Sequence, residues 1–244
     1  VQTNLNNTYN DVQDSDGGND NTVGITVVAG EDSTGNNFVD RQPASITGTV
    51  MADTNNDDTG NVNLENVIVE LQLLNGTVVD TDTTSVDGTY AFTDVTPGTY
   101  NVVQTNIDGY GDVSDTQGIN DSIINLTIAT GENSTGNNFV DEELGSIAGN
   151  VSATNNGITG ISGVTVELQL PDGTVISTTT TDNNGEYLFN NIAPGNYQLA
   201  EIDLPGYKSV FDRDGGNFNL IAVSLNTGED SVSNDFFDEQ QVSI

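Results

Sequence analysis

The chain repeats itself at long range, and that repetition limits what it can fold into. Residues 30–40 read GEDSTGNNFVD, residues 131–141 read GENSTGNNFVD, and residues 228–238 read GEDSVSNDFFD. Two further pairs keep the same register: VIVELQLLNGT at 67–77 with VTVELQLPDGT at 164–174, and GTYAFTDVTPGTY at 88–100 with GEYLFNNIAPGNY at 185–197. A period of roughly 100 residues is too long for a solenoid, so each copy must bury a core of its own.

The copies divide the chain unevenly. Residues 1–40 match only the later part of a repeat, so they are expected to be the C-terminal part of a preceding copy. Residues 41–142 and 143–240 are expected to be two complete domains. Residues 241–244 match the opening of a repeat and are expected to form the first strand of a following one. A half domain leaves sheet edges and core residues uncovered. The sequence therefore reads as an excerpt of a longer tandem protein.

Local patterns predict an all-β fold. In 164–170 (VTVELQL), Val164, Val166, Leu168 and Leu170 share one face, while Thr165, Glu167 and Gln169 share the other. The Pro171-Asp172-Gly173 turn leads into a Thr-rich strand and so makes a hairpin. Turn signals recur throughout, and about seven short strands per copy point to a tandem immunoglobulin-like β-sandwich. Phe38, Phe139 and Phe236, on the last strand of each copy, are expected to face the core.

Charge then excludes several partners. Thirty-seven acidic residues against three basic ones give a net charge of −34. Nucleic acid and anionic membrane surfaces both need a basic footprint that this chain lacks. No apolar run approaches the ~18 residues of a membrane span, so this segment is not expected to insert. Cysteine is absent, which removes disulfides and thiolate metal sites. Histidine is absent too, and no nucleophile stands with a base and an orienting group, so an enzyme is not expected.

The runs GSIAGNV (145–151), GVTVELQLPDGTVISTTTTDNNGEYLFNNIAPGNYQLAEIDLPGY (163–207) and GEDSVSNDFFD (228–238) resemble the B-type repeats of serine-aspartate repeat surface proteins. Those repeats are related to Cna B-type and prealbumin-like domains. The resemblance implies an extended array of extracellular sandwiches, used as a stalk in surface adhesins and often rigidified by calcium. Many Cna B-type relatives carry a Lys–Asn isopeptide bond, which needs a lysine on an early strand. The only lysine here is Lys208, outside those strands, so that cross-link is excluded.

Three sets of acids are then candidates for calcium. The first is Asp14, Asp16, Asn19 and Asp20, with the later copies Asp115, Asn120 and Asp121, and Asp212, Asp214 and Asn217. Oxygen donors at alternate positions, with glycines to bend the chain, suit a hard cation that takes six to eight oxygens. In the middle copy Gln117 replaces an acid. The second set is Asp53, Asn55 and Asp57, which begin like an EF-hand loop but lack its closing glutamate. The next copy shortens that loop to Ala153-Thr154-Asn155-Asn156-Gly157 and is expected to bind nothing. The third set closes the repeated strip: Asp40, Asp141 and Asp238. For the first set the competing reading is a solvent-exposed Asx turn, and for the third it is acids that simply solvate the turn before the last strand.

The function expected from these features is a non-enzymatic, calcium-stabilised stalk or spacer of a secreted or cell-surface repeat protein. Its partners would be adjacent repeats of the same polypeptide and neighbouring copies in a filament. The alternative is an adhesion module that binds carbohydrate or protein through its end loops.

Overall fold

The structure, a computed structural model, describes residues 1–2, 9–18, 20–118, 120–154, 159–215 and 219–241. Asn19, Asn155, Asn156, Asn217 and the segment 242–244 lie outside the described residues. Every regular element among those described is a β-strand.

The partial copy contributes β1 (Asn10–Asp14) and β2 (Phe38–Arg41), paired antiparallel. The next strands are β3 (Ala44–Asp53), β4 (Val62–Asn63), β5 (Ile68–Leu73), β6 (Val78–Thr83), β7 (Thr89–Val95), β8 (Gly98–Thr105), β9 (Tyr110–Asp115), β10 (Ile123–Ile128), β11 (Asn133–Ser134) and β12 (Phe139–Glu143). The same series then recurs as β13 (Gly145–Ala153), β14 (Thr159–Gly160), β15 (Thr165–Gln169), β16 (Val175–Thr180), β17 (Glu186–Ile192), β18 (Gly195–Ile202), β19 (Tyr207–Asp212), β20 (Leu220–Leu225), β21 (Asp230–Ser231) and β22 (Phe236–Gln240). The chain divides into two compact units. One comprises Val1–Met51, Asn63–Thr105 and Ser114–Phe139, and the other Ala52–Val62, Asn106–Val113 and Val140–Ile244.

Each series makes two sheets. In the second copy one sheet runs β16-β15-β18-β20 and the other β14-β13-β22-β19, with β17 and β21 also on β13. The long strand β13 changes partners along its length. Its first part pairs with β17, and its end pairs in parallel with β22 through Val151↔Phe236 and Ala153↔Asp238. The first copy repeats this plan with β6-β5-β8-β10 and β11-β3-β12-β9.

The sheets close over alternating apolar residues. In the second copy Ile147 and Val151 of β13, Val166 and Leu168 of β15, Leu199 of β18, Ile221 of β20 and Phe236 of β22 are fully buried. Phe139 takes the place of Phe236 in the first copy, as expected, whereas Phe38 is only half-buried. Fully burying a side chain of this size stabilises by about 1.5–3 kcal/mol. Buried threonines pin the hairpin ends. The Thr84 hydroxyl donates to the Leu64 carbonyl at 2.7 Å and accepts from the Val67 amide at 2.9 Å. Thr181 does the same with Ile161 at 2.6 Å and Val164 at 3.0 Å.

One strand of the second copy is not legible from spacing. Residues of β19 (YKSVFD) break the apolar alternation, because a register shift falls between Ser209 and Phe211 where β19 pairs with β22. A bulge turns successive side chains out of simple two-residue alternation.

Candidate cation site

Strand β18 carries a polar residue where its pattern calls for a core residue. Tyr197, Leu199 and Glu201 alternate toward the interior, and Glu201 is 5% exposed. Opposite it, in the other sheet, β22 turns Phe236 and then Asp238 inward, and Asp238 is fully buried. Asp203 follows β18 in an exposed turn, where it accepts a hydrogen bond from the Asn219 side-chain amide at 2.9 Å. Carboxylate oxygens of Glu201, Asp203 and Asp238 all lie within 4.8 Å of one another. Two sheets thus bring three acids together, two of them inside the sandwich.

The electrostatics follow from this packing. Burial, followed by the charges of Asp238, Asp203 and Asp212, pushes the Glu201 carboxyl up to about 9. Burial likewise raises Asp238, to about 6. Asp212, at the end of β19, is itself 3% exposed. Both oxygens of Glu201 and both of Asp238 are buried, and beyond the hydrogen bond the two carboxyls make with each other they receive none from an N–H or hydroxyl donor among the described residues. Such a group is costly unless it shares a proton with its neighbour or meets a cation. The donor set is all oxygen and strongly anionic, which fits a hard cation such as calcium.

Most acids named from the sequence are engaged by their own loops instead. Asp53 is fully buried, and its two oxygens accept the amides of Asn55, Asn56 and Asp58 at 3.0, 2.8 and 2.7 Å. Asp57 accepts the Asn55 side-chain amide at 2.9 Å and the Thr59 amide at 3.0 Å. Asp53 nonetheless acts electrostatically beyond its loop. Burial first, then the charges of Asp53 and Asp58, raise the pKa of Glu142.

The alternate-position loops share one device. The side chain two residues after the first acid reaches the backbone eight residues on. Asp16 accepts the Gly24 amide at 2.9 Å and Asp214 accepts the Ala222 amide at 3.3 Å. Gln117 both accepts the Asn125 amide at 2.9 Å and donates to its carbonyl at 2.8 Å. Asp20 and Asp121 accept the amides of Thr22 and Ile123, and Asn120 is exposed. Asp14 is buried beside Asp16, whose side-chain hydrogen bond is the first cause of its raised pKa, and Asp115 accepts the Gln117 amide at 2.6 Å. Only Asp212 among these acids bears on the three-carboxylate cluster.

The repeated strip has structural work along most of its length. Glu132 and Glu229 accept the amides of Ala129 and Asn226 at 2.6 and 2.9 Å, closing the preceding turn. Asn138 and Asp235 accept the amides of Thr49 and Asn150 at 3.0 and 2.9 Å, stitching the last strand to the first. At its end the strip turns inward: Asp141 and Asp238 are buried, and Asp40 is half-buried with Gln2 donating to it. Glu201 and Asp203 are not among the residues singled out from the sequence. A glutamate at an inward position of β18 is the available signal.

The shaft pilin SpaA of Lactobacillus rhamnosus GG aligns over 83% of this chain and 100% of its own, at 12% identity and a TM-score of 0.38. Serine-aspartate repeat-containing protein F of Staphylococcus epidermidis is 30% identical over 215 residues, 78% of this chain. Serine-aspartate repeat-containing protein C of Staphylococcus aureus (strain MRSA252) is 29% identical over 217 residues, also 78% of this chain. The chain spans 13% and 24% of the lengths of those two relatives. The family model of the SdrD B-like domain matches residues 44–143 and 149–233. With two successive copies matched across most of its length, the chain belongs to the SdrD B-like domain family.

Proposed function

We propose that this chain is a non-enzymatic, calcium-stabilised stalk or spacer segment of a secreted or cell-surface repeat protein. What carries the reading is the set of buried acids in a fold with no cysteine to cross-link it. Asp141, Asp212 and Asp238 are each 3% exposed or less. Small sandwiches have modest cores, and a bound ion offsets that. Extracellular modules hold calcium with dissociation constants of about 10⁻⁴–10⁻³ M. At ~100 times that constant one site adds roughly 2.7 kcal/mol. Each ion also cancels two units of self-repulsion on a chain of net charge −34. Membership of the family and relatedness to serine-aspartate repeat-containing proteins support the surface setting.

A stalk works under tension, so the test is mechanical. The whole chain, tethered at both ends and pulled in millimolar calcium chloride, is expected to unfold at higher force than in chelator. Equal unfolding forces in the two buffers would defeat the calcium-stabilised reading.

A further inference from the structure

We propose that the open edge of β16 is a docking edge, on which β16 of another molecule of this chain pairs antiparallel. The inference goes beyond the stalk reading and does not depend on calcium.

The way the other edges are closed carries it. The four-stranded sheets run β6-β5-β8-β10 in the first copy and β16-β15-β18-β20 in the second, so β6, β10, β16 and β20 are their edges. An edge strand turns a row of backbone N–H and C=O groups outward, ready to pair with another chain. Three of these edges have that row engaged by side chains. On β6, Asp80 and Asp82 accept the amides of Thr81 and Thr83 at 2.9 and 2.8 Å. On β10, Gln117 accepts the amide of Asn125 and donates to its carbonyl. On β20, Asp214 accepts the amide of Ala222. Strand β16 has Ser177 and Thr179 in the places of Asp80 and Asp82, so it brings no carboxylate to its own amides. The Thr181 amide donates inward, to the Val164 carbonyl at 2.9 Å. Backbone direction alternates along an antiparallel strand, so Thr178 and Thr180 turn their N–H and C=O groups away from β15. Both residues are exposed.

The strand's own chemistry selects the occupant. It reads VISTTT, which is uncharged, free of proline and β-branched except at Ser177. On a chain of net charge −34, two molecules can meet along this span without setting acid against acid. A register centred on Thr179 puts Thr178 of each molecule opposite Thr180 of the other. Each such pair exchanges both N–H···O bonds, and cross-strand threonine pairs add to the ladder. Asp182 then falls opposite Ile176 rather than another acid. The same register on β6 would set Asp82 against Asp82, which like-charge repulsion opposes. The resulting contact is isologous, the commonest way for a chain to meet itself. So short a ladder is weak and transient, and the net charge opposes it until salt screens the repulsion.

The test is sedimentation of the whole chain at rising concentration, in millimolar calcium chloride with low or concentrated sodium chloride. The mean mass should climb toward that of a dimer, and further at high salt. Amide exchange by NMR should show Thr178 and Thr180 gaining protection as the mass climbs. The double substitution S177D/T179D installs the first copy's acids and should weaken association by about tenfold or more. Its melting temperature and calcium response should match those of the unsubstituted chain. Thr178→Pro removes an outward amide that the sheet itself does not use, and should weaken association likewise. It decides the matter should S177D/T179D fold poorly. A chain that stays monomeric at every concentration in concentrated salt overturns the proposal. So does association that both variants leave unchanged, or that leaves the Thr178 and Thr180 amides unprotected, because the contact then lies elsewhere. None of these outcomes touches the calcium reading, which rests on the difference between calcium and chelator.

Discussion

The hydroxyl of Tyr90 donates to the backbone carbonyl of Asn137 at 2.6 Å, and 97 residues further on Tyr187 donates to the carbonyl of Asn234 in the same way. Each bond ties β7 or β17 to the loop that precedes the last strand. Both tyrosines are 4% exposed or less, and burial raises both hydroxyl pKa values, so each stays a protonated donor. Tyr90→Phe and Tyr187→Phe should each cost about 1–3 kcal/mol, because the carbonyl loses its buried donor. Denaturant melts of the two variants measure this, and similar costs are expected in the two copies.

That same loop explains two glycines. A Cβ on Gly48 would lie 1.8 Å from the Asn137 carbonyl oxygen, and one on Gly149 would lie 2.0 Å from that of Asn234. Backbone at such distances cannot give way locally. Gly48→Ala and Gly149→Ala should each unfold or grossly destabilise the copy that carries it, by more than about 4 kcal/mol. Amide exchange by NMR would show the loss confined to one copy.

Asp212 and Asp214 sit two residues apart and should behave differently. Asp214 is exposed and accepts the backbone amide of Ala222. Asp214→Asn should therefore change stability by less than about 1 kcal/mol and leave the calcium response intact. Asp212 is buried, and its charge acts on Glu201. Asp212→Asn should weaken calcium binding several-fold through the lost field. Calcium titrations of the two variants distinguish them.

Stability in chelator should fall with rising pH. Glu201 titrates near 9 and Asp238 near 6 in the folded state, above the ordinary values of 4.5 and 3.8. Between each pair of values the folded state holds more protons than the unfolded one, so raising the pH favours unfolding. The window runs from about pH 4 to about pH 9. The chain has no histidine or cysteine, so few other groups blur it above pH 6. Urea melts across this range should slope downward for the unsubstituted chain and flatten for E201Q. Saturating calcium should remove the slope, because the ion takes the place of the proton.

Much of the fold was legible because repetition and alternation reinforce each other. The inward residues of β15, the Pro171-Asp172-Gly173 turn and Phe236 on the last strand could be read from spacing alone. Strand β19 could not, since its bulge hides the period. The site was half legible. Asp238 closes a conspicuous strip, but Glu201 lies within an otherwise apolar pattern, and only the pairing of sheets shows what it faces. Loop acids such as Asp53 and Asp16 drew attention through their spacing. Yet spacing alone does not reveal that backbone amides of the same fold already engage their oxygens.

Calcium dependence is the central claim, and scanning calorimetry of the whole chain tests it most directly. At pH 7.5, with several millimolar calcium chloride against an excess of chelator, the account predicts a melting temperature higher by many degrees in calcium. A single site adds roughly 2.7 kcal/mol at ~100 times its dissociation constant, and each kcal/mol moves a domain of this size by roughly 4–8 °C. Superimposable melts in the two buffers would contradict the account and leave the buried acids as a proton-sharing feature of the fold.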